Sequence, residues 1–126
     1  GPPRRIVLEA EGGQVREGGR VVDRPEASSG SAVLFTASGG TLLLETELPA
    51  GRWRVVIDGF AEGRSGDACF VEVGGRKVRV YFAPAHRPQF EMTLRGGRQP
   101  IRIEAAEPGV AVDRVILVNL PKASSP

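Results

Sequence analysis

Residues 71–78 have the sequence VEVGGRKV, in which two short runs of apolar and polar residues flank a pair of glycines. Two glycines supply the positive φ angles of a two-residue turn, so this segment predicts a β-hairpin. Residues 15–22, VREGGRVV, have the same form and predict a second hairpin. Three further Gly-Gly pairs stand at 12–13, 39–40 and 96–97. The spacing of these Gly-Gly pairs along the chain is therefore typical of strands joined by tight turns.

The segments between the turns alternate between apolar and polar residues, which gives each predicted strand one buried face. Residues 42–44 and 115–118 are apolar on both faces, as expected for central strands. No stretch of ten or more residues has helical periodicity. We therefore predict an all-β fold of about nine to ten strands, arranged as an antiparallel two-sheet sandwich. The predicted core contains Leu8, Val33, Leu44, Val55, Ile57, Val80, Phe90, Ile103 and Leu117.

The chain has 126 residues, of which 40% are apolar and 25% are charged, and this is typical of one folded domain. We assign residues 4–120 to the sandwich. Residues 1–3 are typical of a tag remnant or linker and 121–126 of a linker, so we expect neighbouring domains in a longer chain. No apolar run is long enough to cross a bilayer, and membrane insertion is not expected.

The charged residues argue against a nucleic-acid partner. The chain has fifteen Arg and two Lys, and it has eleven Glu and four Asp, so its net charge is +2. These charges are scattered along the chain without a block of one sign, so no basic patch is predicted.

Catalytic groups are sparse. One cysteine, Cys69, and one histidine, His86, exclude an intrachain disulfide and a zinc site built from Cys and His. Cys69 lies in the middle of a predicted strand, where a buried and inert thiol is expected. His86 lies in a proline-rich loop without an adjacent serine or cysteine. We therefore expect a non-catalytic protein.

The acidic residues of the first and last strands predict a metal site. Glu9 and Glu11 share one face of a strand, roughly 7 Å apart, so both carboxylates can reach one ion. Asp113 stands in an otherwise apolar terminal strand, and the ends of such domains often lie close together. The three carboxylates could therefore converge on calcium, completed by backbone carbonyls. The alternative is that Glu9 and Glu11 face water and that Asp113 pairs with an arginine.

Four segments in order, 6–11, 26–33, 48–55 and 109–115, resemble the calcium-containing β-sandwich carbohydrate-binding modules of families 6 and 35, which have a galactose-binding-like fold. The resemblance spans nearly the whole chain. It implies a jelly-roll sandwich with a structural calcium ion. The calcium ligands that it implies are Glu9, Glu11 and Asp113.

The resemblance also implies a sugar site on the loops at one end of the sandwich. The family has a stacking Trp or Tyr there, and an Asn two residues before the final-strand Asp, where this chain has Ala111. Trp53 alternates with arginines on a predicted strand and is expected in the core. If strand order follows the family, the residues at this end are Asp58, Arg64, His86 and Arg87.

Arginine forks match carboxylates and sulfates in a bidentate geometry, so these loops favour an acidic glycan, such as one containing uronate. Two functions follow. The first is a non-catalytic carbohydrate-binding module attached to a secreted enzyme, with the extracellular location implied by the resemblance. The second is a structural or protein-interaction sandwich that has lost sugar binding.

Overall fold

The computed structural model describes residues 4–61, 67–83 and 87–122. These residues form eleven strands and one short 3-10 helix, Ala10–Gly12. No helix within them is both long and apolar enough to span a membrane. The strands are β1 (Arg5–Glu9), β2 (Gln14–Val15), β3 (Gly19–Asp23), β4 (Ser31–Phe35), β5 (Thr41–Leu48), β6 (Gly51–Ala61), β7 (Ala68–Val73), β8 (Arg76–Tyr81), β9 (Gln89–Leu94), β10 (Gly97–Ala105) and β11 (Val110–Asn119).

The strands form two antiparallel sheets. The first has the order β3-β4-β11-β6-β9, and β1 also pairs with β11; the second has the order β2-β5-β10-β7-β8. This arrangement confirms the predicted all-β antiparallel sandwich. The described residues contain slightly more strands than the nine to ten predicted, because a two-residue strand such as β2 carries no alternation that a sequence pattern can detect.

One of the two predicted hairpins is confirmed. β7 pairs with β8, and Gly74 and Gly75 adopt φ angles of 60° and 76°, a region that side chains disfavour. The hairpin predicted over residues 15–22 is wrong, because β2 pairs with β5 and β3 pairs with β4. The turn does form, with the Gly19 N–H donating to the Arg16 carbonyl at 3.0 Å. It carries the chain from one sheet to the other, since distant strands supply the pairing partners.

The core lies between the two sheets and follows the predicted pattern. Trp53 is fully buried, and its indole N–H donates to the Pro49 carbonyl at 3.1 Å, which agrees with the packing role expected for it. Leu8 and Phe90 are partly buried and pack against the core. The remaining predicted core residues are buried: Val33, Leu44, Val55, Ile57, Val80, Ile103 and Leu117.

Strand β11 is central to the first sheet. It pairs with β6 on one edge, and with β1 and β4 in succession on the other. Because it has neighbours on both edges and packed residues on both faces, its run from 115 to 118 is apolar throughout. The pairing of Arg5 with Val118 also places the two ends of the domain side by side, as predicted.

Candidate functional site

A β-bulge in β11 aims the side chain of Asp113. Val112 lies opposite Gly59 of β6, and Arg114 lies opposite Asp58, so Asp113 is left out of this ladder. A bulge of this kind changes the direction of the extra residue's side chain. On the other edge of β11, Arg114 pairs with the end of β1 and Val112 pairs with β4. Asp113 therefore lies level with the break between those two strands.

The loop between β3 and β4 brings Ser28 to Asp113. The Ser28 N–H donates to the two carboxylate oxygens of Asp113 at 3.0 and 3.2 Å, and its hydroxyl lies 2.9 Å from Oδ1. The same hydroxyl lies 2.7 and 3.0 Å from the carboxylate oxygens of Glu9. Ser28 therefore joins the first-strand and last-strand carboxylates that sequence spacing predicted to converge.

The contacts around Ser28 outnumber the protons available for them. A serine hydroxyl donates one hydrogen bond, yet carboxylates of both Glu9 and Asp113 lie within hydrogen-bond distance of it. At any moment one of these contacts joins two oxygens without a hydrogen between them, which is repulsive. A cation or an added proton would remove that repulsion.

Glu11 completes the acidic group, but the prediction that it shares a strand face with Glu9 is wrong. β1 ends at Glu9, and Glu11 lies in the 3-10 helix that follows, where alternation between faces no longer applies. The Ser29 hydroxyl donates a hydrogen bond to its Oε1. Its other oxygen, Oε2, is buried and has no hydrogen-bond partner among the described residues. A buried carboxylate oxygen without a partner is costly, so this atom is suited to a ligand.

These observations bear on the sequence prediction of a metal site. Asp113 is 5% exposed. It makes no ion pair with an arginine in the part of the chain that the structure describes, so the calcium site and the arginine alternative both stay predictions. No three His, Cys, Asp or Glu side chains in ranges 4–61, 67–83 and 87–122 are grouped closely enough to hold a metal. Glu9, Glu11 and Asp113 are thus not at metal-binding spacing in this structure. Their oxygen atoms are of the kind that calcium takes, because its ligands are carboxylates, hydroxyls and backbone carbonyls, so the fit is one of chemistry and not of geometry.

Of the predicted sugar-binding residues, Asp58 and Arg87 lie together. Arg87 donates to Asp58 through Nε and, at 2.7 Å, through Nη2, and Arg114 donates to the same carboxylate at 2.7 Å. Burial by itself raises the pKa of Asp58, and the hydrogen bonds from the two arginines outweigh it, so that pKa is lowered. Part of the Arg87 fork is therefore engaged by a carboxylate of the chain. Arg64 and His86, the other two predicted residues, lie outside the described residues.

A cleft of about 310 Å³ opens along the end of β6, starting at Gly59, the residue after Asp58, and it was not predicted from the sequence. The Arg24 guanidinium lies over the Phe60 ring, 4.2 Å from its centroid. Gly59 is required here because a Cβ would come within 2.7 Å of the Phe82 ring. The position of Phe60 near the end of β6 was the available sequence signal, whereas nothing marked Arg24. The cleft is lined by Arg24, Gly59, Phe60, Ala61, Phe82 and Ala83.

Solvent and ligands cannot reach Ala111, which stands where carbohydrate-binding modules of the resembled families have an Asn. Ala111 is fully buried and packs with Ala27 and Ala32 on the outer face of the first sheet. Phe60 and Leu34 pack against this small cluster. A ligand in the cleft can therefore approach Phe60 and Arg24, but it cannot reach Ala111.

A larger cleft, of about 360 Å³, lies between β1 and β5. Glu9 and Glu45 supply its charged groups, and Leu8 and Leu44 are among its apolar residues. It has no aromatic ring in its lining and therefore offers no platform on which a sugar can stack. The cleft beside Phe60 is the better candidate for a ligand site, despite its smaller volume.

Cys69 is fully buried, as predicted. Burial raises the pKa of its thiol to about 12, so the reactive thiolate does not form at neutral pH. The thiol therefore packs in the core and does no chemistry.

Similarity to known proteins lies in the three-dimensional structure. No family model and no curated protein matches the chain. Solved structures do match it. The chain is similar to an exo-β-1,3-galactanase from Phanerochaete chrysosporium solved with galactose, with a TM-score of 0.76 and 22% identity. That match covers 90% of this chain and 29% of the galactanase, so the chain corresponds to only part of that enzyme.

Two further matches extend over nearly the whole of the solved chain. A family 35 carbohydrate-binding module from Clostridium thermocellum matches with a TM-score of 0.75 and 16% identity, over 90% of this chain and 97% of that one. The C-terminal family 6 module of the laminarinase LamC from Zobellia galactanivorans matches with a TM-score of 0.76 and 11% identity, over 92% of this chain and 100% of that one.

The fold is thus the β-sandwich of family 6 and family 35 carbohydrate-binding modules, as the sequence resemblance implied. Both of the solved chains that match along nearly their whole length are carbohydrate-binding modules.

Proposed function

We propose that this chain binds carbohydrate without transforming it, at the cleft formed by Arg24, Phe60 and Phe82. The observation that carries the proposal is the partly exposed Phe60 ring beside the Arg24 guanidinium in this cleft of a carbohydrate-binding-module fold; Phe82 forms the buried floor. Aromatic rings bind the apolar faces of sugars, and polar groups at the rim fix their orientation. Attachment to a secreted or cell-surface enzyme is part of the same proposal.

The charge around the cleft favours an acidic glycan. Arg24 lines it and donates through Nε to Glu26 at 2.7 Å, while Arg87 and Arg114 both donate to Asp58, which precedes the lining residue Gly59. Two arginines on one carboxylate leave a net positive charge, and the guanidinium of Arg87 retains donors that Asp58 does not use. Uronate or sulfate groups accept such charge-assisted hydrogen bonds, so these glycans should bind more tightly than neutral ones. Arg64 and His86 belong to the proposed site by sequence alone.

The proposal includes a structural calcium ion held by Glu9, Glu11 and Asp113. The buried oxygen of Glu11 without a partner and the crowded hydroxyl of Ser28 both support it. When bound, the ion would supply positive charge to balance the three carboxylates. The chain's own residues bring the loop of Ser28 to β1 and β11, with or without the ion.

Affinity gels and titration calorimetry test the binding. Polygalacturonate, alginate and heparan sulfate are compared with cellulose derivatives and neutral xylan, at low and high salt. We expect retention by at least one anionic polymer, weakening as salt screens the exposed charges. Retention by neutral polymers alone would contradict the acidic preference, and no retention by any polymer would contradict carbohydrate binding.

Variants locate the site. Arg24→Ala and Arg87→Ala should weaken retention, whereas Arg98→Ala should not. Arg98 is the matched control because it is exposed on β10 of the second sheet, where it pairs with Glu45. Full retention in both Arg24→Ala and Arg87→Ala would place the ligand elsewhere.

The sealed position of Ala111 favours a second candidate function, a sandwich that binds a neighbouring protein domain and no sugar. Measurement of glycan retention distinguishes the two functions. Saturable glycan retention supports the first function, and its absence together with binding to an adjoining domain of the parent chain supports the second.

A further inference from the structure

The loop between β3 and β4, residues 24–30, connects the acidic group to the cleft. At one end Ser28 is bonded to Glu9 and Asp113. At the other end Arg24 lies over the Phe60 ring. We infer that Ser28 is a positioning residue for the cleft: by fastening the loop to the two carboxylates, it holds Arg24 over Phe60. This inference rests on the proposed function and adds a residue that acts on the site without touching the ligand.

The loop is stiff enough to transmit a displacement. The Arg24 N–H donates to the Gly30 carbonyl at 2.8 Å, and the Ala27 N–H donates to the Arg24 carbonyl at 3.0 Å. The Gly30 N–H in turn donates to the Ala27 carbonyl at 3.1 Å. Three internal hydrogen bonds over seven residues allow the loop little independent motion, so releasing Ser28 should also displace Arg24.

Arg24 itself is anchored next to the Asp23–Ser31 pair of β3 and β4, and its Nε donates to the Glu26 carboxylate of the same loop at 2.7 Å. For the rest of the loop, the described residues give few other contacts to the sandwich. Ala27 is its buried residue, and it packs on Ala32 and Ala111. A single methyl group buries little apolar surface. The bonds from Ser28 are made to two carboxyl groups, and hydrogen bonds to such groups are among the stronger ones in proteins when the group carries its charge. Ser29 adds a bond to Glu11, at the same end of the loop.

Removal of the Ser28 hydroxyl distinguishes the contribution of its hydrogen bonds from that of Ala27 packing. Ser28→Ala deletes the hydroxyl, whose single proton is shared between Glu9 and Asp113, and it leaves the bond from the backbone N–H to Asp113 in place. Ser28→Thr keeps a hydroxyl, and the added methyl group meets no barrier because Ser28 is exposed. The matched control is Ser38→Ala, since the Ser38 hydroxyl donates to the Ala106 carbonyl in a different loop.

The decisive readout is the NMR chemical shift of the Arg24 side-chain protons. A guanidinium stacked on an aromatic ring lies in the shielding region of that ring, so these protons resonate upfield in the native protein. We expect the upfield shift to be lost in Ser28→Ala and kept in Ser28→Thr and Ser38→Ala. A thermal melt of each variant establishes that it is folded. An Arg24 shift in folded Ser28→Ala that equals the native one overturns the inference.

Binding provides the second readout, with polygalacturonate as the probe. We expect Ser28→Ala to weaken binding about tenfold, the lower end of what a hydrogen bond to a charged group contributes, and Ser28→Thr to restore it. Equal affinity in Ser28→Ala and native protein overturns the inference even where the chain binds the polymer well. If the native chain binds no glycan, the proposed function fails, and the Arg24 shift alone then decides the role of Ser28.

Discussion

Ser28 and Asp113 are 85 positions apart in the sequence and are joined by three hydrogen bonds, two from the Ser28 backbone N–H and one from its hydroxyl. The Ser28 hydroxyl also contacts Glu9. This contact fixes the loop between β3 and β4 at the place where β1 ends and β4 begins along β11. The acidic group and the neighbouring cleft therefore share one supporting segment.

Calcium should stabilise the native protein. A ligand that binds only the folded state raises the free energy of unfolding by RT ln(1 + [L]/Kd), about 2.7 kcal/mol at a hundredfold excess over Kd. We expect added calcium to raise the melting temperature in calorimetry and chelation to lower it. Asp113→Asn should abolish the response, whereas Glu47→Gln, which changes an exposed carboxylate of β5, should retain it. Identical melting curves with and without calcium after dialysis against chelator would contradict the site.

Asp58 should give the domain a pH-dependent contribution to stability. Its pKa is lowered in the folded state by Arg87 and Arg114, despite its burial. The contribution is therefore fully present above the unfolded-state pKa of about 3.9 and is lost as pH falls through the lower folded-state value. In urea titrations from about pH 6 to pH 2, the native protein should lose more stability than Asp58→Asn.

The control for Asp58 is Asp23→Asn, which changes an exposed carboxylate at the end of β3. It should follow the native curve. Parallel curves for native protein and Asp58→Asn across this pH range would show that the two arginines contribute nothing to stability.

Truncation of Ile57 should be costly. Ile57 is fully buried between the sheets, so Ile57→Ala leaves a cavity and should lower the free energy of unfolding by about 2–5 kcal/mol. Val21→Ala is the comparison, because Val21 is 51% exposed and its truncation should change stability by less than about 0.5 kcal/mol. Chemical denaturation monitored by circular dichroism measures both. A small loss for Ile57→Ala would mean that the core closes around the deletion.

Trp53 should report on the core and not on ligand. Its indole is fully buried and bonded to the Pro49 carbonyl. Its fluorescence should be blue-shifted, resistant to acrylamide quenching in the native state, and unchanged by glycans that bind. Trp53→Phe should retain glycan affinity while losing stability. A change in native Trp53 emission on saturation with polygalacturonate would place the ligand nearer to this strand than proposed.

Local sequence patterns were sufficient for much of the fold. Alternation depends only on adjacent residues, and it correctly assigned Val55, Ile57 and Ile103 to the core. The Gly74-Gly75 turn was also predicted, since a positive φ angle favours glycine wherever the chain makes such a turn. The metal site that spacing and resemblance assigned to Glu9, Glu11 and Asp113 stays a prediction; the hydrogen-bond partners of these residues, Ser28 and Ser29, lie side by side in one loop.

Other features depend on contacts between distant segments and could not be derived locally. Residues 15–22 have a hairpin pattern, yet their two strands enter different sheets because β4 and β5 provide the better partners. The bulge that turns Asp113 toward Ser28 arises from the register between β6 and β11. Arg24 meets Phe60 only because the loop folds back over the first sheet. Alternation and turn residues thus determined which segments are strands, whereas strand register and loop docking, which require the whole chain, decided which side chains meet.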